Sequence, residues 1–407
     1  MSGFELPILS ISVLVTATLC AFPVASASLP IRNSECPTAF WNFGDSLTDT
    51  GSILNAFPQC SQCDAERKPY GESFFGRPAM RFSNGRVVPD FFALAFQKPL
   101  LQSYMQAGAF DYRFGANFAT AGAAASNETA RSPIFLPLQI SQFVRLKQRA
   151  AMTRALKPCG RYLPSLPLED SYSKGLYTIG IGGVDVVVAF SKNNQTPDYF
   201  TTHVIPEAMA NIAKGIETLY ESGARQFLFF NLHCAGCSTK VVSLLSSVLS
   251  SDNLGSNIPK ILMIQAFNSA LKETVASARL RYPAAIISVF DYFAANMEIL
   301  LNPAKYGFNP NLTQTTCCGV PGLPADIDLT CGISGSTTCS NPEEYVIWDG
   351  AHYTEAFYRV ISKFVLNGQF TDTSINYTAN CNLKFDQFGP EATFEGVYPE
   401  TCEVIFT

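Results

Sequence analysis

Four short segments of this chain are apolar on nearly every position rather than on alternate ones: Ala39–Phe43, Leu176–Ile181, Gln226–Asn231 and Ala285–Phe290. A strand with apolar side chains on both faces needs cover on both faces, which is the habit of parallel sheets in α/β proteins. Between these segments, Leu138–Arg149, His203–Tyr220, Ile258–Arg279 and Thr354–Val365 carry apolar residues at helical spacing, and Thr48–Phe57 reads as a helix or loop. Strands alternating with helices imply a mostly parallel sheet held between two helical layers. A hydrophobic content of 47% against 15% charged residues supplies a large core and excludes disorder. No internal repeat, low-complexity linker or sharp composition break follows the first residues, so residues 28–407 read as one domain. Loops rich in Gly, Pro and Cys (Gln59–Gly85 and Pro310–Pro342) read as insertions around a site.

The stretch from Met1 to about Ala27 has the pattern of a secretory signal. An apolar run from Leu6 to Phe22 precedes Ala25-Ser26-Ala27, a small-x-small cleavage site. Ser10, Ser12, Thr16 and Thr18 make it a poor membrane anchor, and no later stretch is apolar for long enough to span a bilayer. Thirteen cysteines include Cys20 inside the signal, leaving an even twelve, as expected of disulfides in an oxidising compartment. The pairs Cys60/Cys63 and Cys234/Cys237 lie too far apart for a zinc ribbon. Asn127, Asn194, Asn311 and Asn376 each begin an Asn-x-Ser/Thr sequon, in keeping with secretion to the apoplast or cell wall, with the vacuole as another destination. A net charge of -5 without a long Lys/Arg run argues against nucleic acid as a partner. Oligomeric state has no sequence signature here.

Gly44-Asp45-Ser46-Leu47 follows the first apolar segment, and Trp348-Asp349-Gly350-Ala351-His352 lies far downstream. Serine is a poor nucleophile until an imidazole takes its proton, and a carboxylate fixes the imidazole's tautomer. Ser46, His352 and Asp349 are therefore candidates for nucleophile, base and orienting acid in acyl transfer. In an open parallel sheet the site lies beyond the carboxyl ends of the strands, where Ser46 would fall. A helix directly after Ser46 would place free N–H groups behind a developing oxyanion. Taken singly, Ser46 would be an N-cap, Asp45 an acidic first-turn residue, and His203 and His233 structural. Asp185 reads as a residue that holds a loop by accepting backbone hydrogen bonds.

Phe43-Gly44-Asp45-Ser46-Leu47-Thr48-Asp49-Thr50-Gly51 resembles the first signature block of the plant GDSL-type esterases and lipases, within the SGNH hydrolase superfamily. The likeness continues through Arg81-Phe82-Ser83-Asn84-Gly85-Arg86, Gly115-Ala116-Asn117-Phe118-Ala119-Thr120-Ala121-Gly122-Ala123 and Cys317-Cys318-Gly319. It closes with Trp348-Asp349-Gly350-Ala351-His352-Tyr353-Thr354-Glu355-Ala356. These blocks stand in family order over nearly all of the chain after the signal. The resemblance implies a three-layer, flavodoxin-like α/β/α fold and a small-molecule ester as substrate, with Ser46, His352 and Asp349 as the triad. It also implies an oxyanion hole from the backbone N–H groups of Ser46 and Gly122 and an asparagine side chain. At that asparagine's position, in Gly182-Gly183-Val184-Asp185, this chain has Val184, which cannot donate a hydrogen bond. Losing one such donor costs roughly a hundred- to a thousand-fold in rate. The implied function is a slow carboxylic-ester hydrolase, with an acyltransferase or a catalytically impaired binding protein as alternatives. No nucleotide, flavin or metal motif is present, and no cofactor is inferred.

Overall fold

The computed structural model describes residues 36–58, 64–106, 111–156, 165–191, 197–234, 258–321, 331–373 and 375–397. Five strands, β1 (Phe40–Gly44), β2 (Gly115–Asn117), β3 (Leu176–Gly180), β4 (Gln226–Phe230) and β5 (Ile286–Phe290), form one sheet in the order β2-β1-β3-β4-β5. Every pairing in it is parallel. The chain steps from β1 outward to β2, then returns across β1 to β3. Strand order therefore reverses beside β1, and a crevice opens there at the carboxyl ends.

Side chains divide between the two faces by the strand period of two. Trp41, Phe43, Tyr177, Ile179, Phe227, Phe229, Ile287 and Val289 point to one side, and Phe40, Leu176, Leu228, Phe230 and Phe290 to the other. The helices that matter here are α1 (Ser52–Ala56), α2 (Val88–Ala95), α3 (Leu136–Ala155), α4 (Gly183–Ser191), α5 (Ile205–Glu221), α6 (Ile258–Arg281), α7 (Tyr292–Leu301) and α8 (Glu355–Leu366). The first face is covered by α3, α4, α5 and α6, the second by α2, α7 and α8. Burying one of these large apolar side chains contributes roughly 1.5–3 kcal/mol relative to leaving it exposed.

Local chemistry explains the boundaries. Helix α3 buries Leu136, Ile140, Phe143, Leu146 and Ala150, a stripe at helical spacing, and starts two residues before the sequence pattern because Pro137 is tolerated in a first turn. Helix α8 starts where the Thr354 hydroxyl accepts the Phe357 N–H at 3.3 Å. All eight residues of α2 are buried, so this helix shows no polar face and no periodicity to read.

A third, smaller cluster joins Ile53, Leu54, Tyr70, Phe82 and Trp348 to Cys317, Cys318 and Cys331. Disulfides Cys317–Cys339 and Cys318–Cys331 brace it, around a two-residue antiparallel pairing of β6 (Cys318–Gly319) with β7 (Thr337–Thr338). Cys36–Cys381 joins the segment before β1 to the C-terminal segment, and Cys234 is also disulfide-bonded. The signal segment, the Asn194 sequon and Cys20, Cys60, Cys63, Cys159, Cys237 and Cys402 lie outside the described residues.

Candidate active site

Ser46 lies in the turn that leaves the carboxyl end of β1 and is half-buried. The turn is tight because Gly44 approaches the neighbouring strand: a Cβ there would meet the Gly180 carbonyl oxygen at 2.5 Å and the Thr48 hydroxyl at 2.9 Å. The Gln139 amide on α3 holds both backbone groups of Gly44, accepting its N–H at 3.0 Å and donating to its C=O at 2.8 Å. Beneath the turn runs a buried polar row across three strands. Thr178 donates to Asn42 at 2.7 Å, Asn42 donates to Asn117 at 2.8 Å, and Asn117 donates to the Thr48 carbonyl at 2.6 Å. Each polar group in that row is paired with another, so its hydrogen bonds offset the cost of burying it and the row fixes the turn.

The helix N–H groups expected behind Ser46 are differently employed. Helix α1 begins only at Ser52, and the Asp49 carboxylate accepts the N–H groups of Gly51 at 2.7 Å, Ser52 at 2.5 Å and Ile53 at 3.2 Å. Asp49 thereby caps α1 itself, and its second oxygen accepts the Ala121 N–H at 2.8 Å. It ties the Ser46 turn to the Gly122 loop.

Asp349 and His352 lie together on the loop before α8, both buried. His352 Nδ1 is 2.9 and 2.8 Å from the two Asp349 oxygens. Asp349 also accepts the backbone N–H groups of Ala351 at 2.8 Å and His352 at 2.7 Å, and the Tyr70 hydroxyl at 2.8 Å. Burial pushes its carboxyl up, but the His352 charge and hydrogen bond and the Ala351 and Tyr70 donors outweigh it, leaving it below the usual carboxylate range. Two other motif blocks buttress this loop. The Cys318 N–H donates to the Trp348 carbonyl at 2.8 Å, the Ser83 hydroxyl to the Tyr353 carbonyl at 3.0 Å, and the Asn84 side chain accepts the Glu355 N–H at 2.8 Å. Buried Arg86 binds Glu355 through Nε at 3.1 Å and Nη2 at 2.5 Å.

Asp45, next to Ser46, is the link between the two regions. It is buried, and its carboxyl is pushed up to about 6 by that burial, against the Leu47 N–H it accepts and the nearby charge of His352. His352 thus stands within electrostatic reach of the Ser46 turn. His233 is buried, 2.6 Å from the Tyr353 hydroxyl through Nδ1, and burial with the Lys260 and His352 charges lowers it to about 3. It is a neutral packing partner of Tyr292 and Tyr353, with ring centroids 5.5 and 5.0 Å away.

Gly122 adopts φ +77, a conformation that favours glycine, in the half-buried loop after β2. Val184 occupies the first turn of α4 and is half-buried. Its neighbours fix its place. A Cβ on Gly183 would lie 3.5 Å from Asp45 Oδ2, while Asp185 accepts the N–H groups of Ala125 at 2.8 Å and Ser126 at 3.0 Å and the Thr129 hydroxyl at 2.5 Å. Asp185 does hold a loop, but the one that follows Gly122 rather than its own. Sequence reasoning missed Asn117, Gln139 and Tyr70 as positioning groups; the first block contains Asp49, and the block position of Asn117 was the available signal. Of the sequons, Asn127 and Asn311 are exposed, and Asn376 is half-buried and caps a short helix by accepting the Ala379 N–H at 2.8 Å. Among the described residues no cluster of His, Cys, Asp and Glu is suited to a metal ion, and no helix is long and apolar enough to cross a membrane.

Residues 41–365 match the model of the GDSL-like lipase/acylhydrolase family. The chain is 32% identical to the GDSL esterase/lipase ENOD8 of Medicago truncatula, with 93% of this chain and 97% of that protein covered. It is 31% identical to an esterase of Hevea brasiliensis (92% and 95% covered) and 34% identical to alpha-L-fucosidase 3 of Arabidopsis thaliana (84% and 94% covered).

Proposed function

Because the chain belongs to the GDSL-like lipase/acylhydrolase family, and so is a carboxylic-ester hydrolase, we propose that Ser46 is its nucleophile, His352 its general base and Asp349 the carboxylate that orients His352. The observation that carries this reading is the pair of short contacts between His352 Nδ1 and a buried carboxylate satisfied on both oxygens. An imidazole held through Nδ1 presents Nε2 to a hydroxyl, and the carboxylate steadies the imidazolium formed when the serine attacks. The acyl group forms an ester with Ser46, the alcohol leaves with the proton from His352, and water reverses the sequence to release the acid. The N–H groups of Ser46 and Gly122 receive the oxyanion. Val184 supplies no third donor, so turnover is slow.

The Val184 position is supported by its flanks, Gly183 against Asp45 and Asp185 against the Gly122 loop. Replacing Val184 by asparagine is expected to raise kcat on p-nitrophenyl acetate by about tenfold to a hundredfold. Labelling with a serine-directed organophosphonate tests the nucleophile: wild type should be modified at Ser46 and Ser46→Ala should be inert. Equal labelling of both proteins would sink the assignment. A glycosidase reading, suggested by one relative's name, needs two carboxylates free to flank a sugar. Both Asp349 oxygens are taken by His352 and Tyr70, and Asp45 is buried, which favours acyl transfer.

The apolar leader, the even cysteine count after it and the exposed sequons at Asn127 and Asn311 support a secreted glycoprotein built as a single domain over residues 28–407. Alcohol in place of water as acyl acceptor would make the same site an acyltransferase; product analysis with an added alcohol separates the two.

A further inference from the structure

We propose that a small apolar recess beside Ser46 receives the acyl group and restricts the enzyme to short chains, from acetyl to about butyryl. The proposal rests on Ser46 being the nucleophile. The recess lies at the carboxyl ends of β1, β3 and β4 and has a volume of about 30 Å³. Its apolar wall consists of Leu47, Val88, Ile181, Phe230, Leu232 and Tyr292, and Ser46 falls between two of its lining residues, Asp45 and Leu47.

Volume decides the substrate class. One water needs roughly 10–15 Å³ of such space, so the recess takes two or three heavy atoms. Sites for larger ligands run to roughly 300–1,000 Å³. Val88, Phe230, Leu232 and Tyr292 are all buried in the two main cores, so enlarging the recess would mean moving close-packed side chains. A wider groove of about 700 Å³ runs between α3 and α5, but its walls, including Ile140, Arg145 and Arg149, contain none of Asp45, Leu47 and Thr48, the neighbours of Ser46 that border the recess. Among the described residues, the recess that borders the Ser46 turn has no room for a long acyl chain.

Two substitutions change the recess in opposite senses. Leu232→Ala enlarges it while the loop keeps its place, because Asn268 holds the Leu232 N–H at 2.7 Å and its C=O at 2.9 Å. Gly180→Ala fills it, since a Cβ there reaches Phe230 Cβ at 3.5 Å, an ordinary contact. The experiment measures kcat/KM on p-nitrophenyl acetate, butyrate and octanoate, together with labelling rates of methyl- and octyl-phosphonates for the case of very slow turnover. For wild type we expect octanoate to fall at least about tenfold below acetate, the lower end of discrimination by a tight apolar pocket. Leu232→Ala should raise the octanoate-to-acetate ratio by a similar factor, and Gly180→Ala should lower the butyrate-to-acetate ratio. Because each result is a ratio within one protein, partial loss of folded material cancels. A preference for octanoate in wild type, or ratios unmoved by both variants, overturns the proposal while leaving Ser46 in place. Absence of hydrolysis and of any labelling overturns the nucleophile assignment, and the proposal with it.

Discussion

Asp45 and Asp349 are both buried, and both feel the charge of His352, yet their carboxyl groups shift in opposite directions. The difference is the supply of donors. Asp349 receives the imidazole, two backbone N–H groups and the Tyr70 hydroxyl, whereas among the described residues Asp45 receives only the Leu47 N–H from another residue. Because Asp45 rises from 3.8 to about 6 on folding, the native state binds the proton more tightly than the unfolded chain. Stability from this group is therefore fully present below pH about 4 and is lost as pH rises through about 6, by an amount on the order of 3 kcal/mol. Asp45→Asn keeps an acceptor for Leu47 and cannot ionise. Its stability, measured by urea unfolding, should gain on wild type between pH 4 and 6 and stay ahead above that; a constant difference across the range would refute the mechanism. Tyr70→Phe leaves an Asp349 oxygen short of one donor and should cost about 1–3 kcal/mol in the same assay. A loss that shrinks on acidification would trace it to Asp349, whose depressed carboxyl contributes stability present above its unfolded value and lost as pH falls through its folded one.

At the level of elements, the motif blocks resolve into struts between loops. Gln139 on α3 grips Gly44 at the end of β1, Asp49 spans from the Ser46 turn to Ala121, and Asp185 on α4 grips the loop beyond Gly122. Arg86 and Glu355 lock the Arg81–Arg86 block against the start of α8, with the Arg86 guanidinium stacked over Phe74 and Phe91 at 4.1 and 4.6 Å. A Cβ on Gly85 would lie 1.8 Å from the Glu355 carboxylate, which is why that block needs glycine there. Removing one partner leaves the other charge buried, so Glu355→Gln should cost about 3–5 kcal/mol, read from the unfolding midpoint. Gln139→Ala deprives the buried Gly44 N–H of its side-chain acceptor, while the Gly44 C=O keeps the Thr120 N–H at 3.0 Å; it should cost about 1–3 kcal/mol, with a loss of kcat that no helix substitution on the outer face of α3 reproduces.

At the scale of the whole molecule, Cys36–Cys381 joins two segments 345 residues apart. Closing so long a loop restricts the unfolded chain strongly, and Cys36→Ala with Cys381→Ala should lower stability by about 2–5 kcal/mol without moving the Ser46 turn. The expected observation is a lower melting temperature with unchanged organophosphonate labelling at low temperature. Ser46 follows β1 in the middle of the sheet, whereas Asp349 and His352 enter on the loop before α8, which covers one face.

Sequence alone determined the fully covered parallel sheet, because apolar runs such as Gln226–Phe230 admit little else, and the order of the motif blocks identified the family. It also pointed to Ser46, Asp349 and His352 as residue types suited to one chemistry. Helices α2 and α4 were illegible: α2 is buried all round, and α4 opens as a Val-rich run whose local pattern does not distinguish strand from helix. Tertiary structure alone decided the strand order, the employment of Asp49 as a cap, the pairing of Tyr70 with Asp349 and the size of the recess beside Ser46. Each of these is set by contacts between residues distant in the chain, and a local pattern carries no information about which distant group will supply a donor or fill a space.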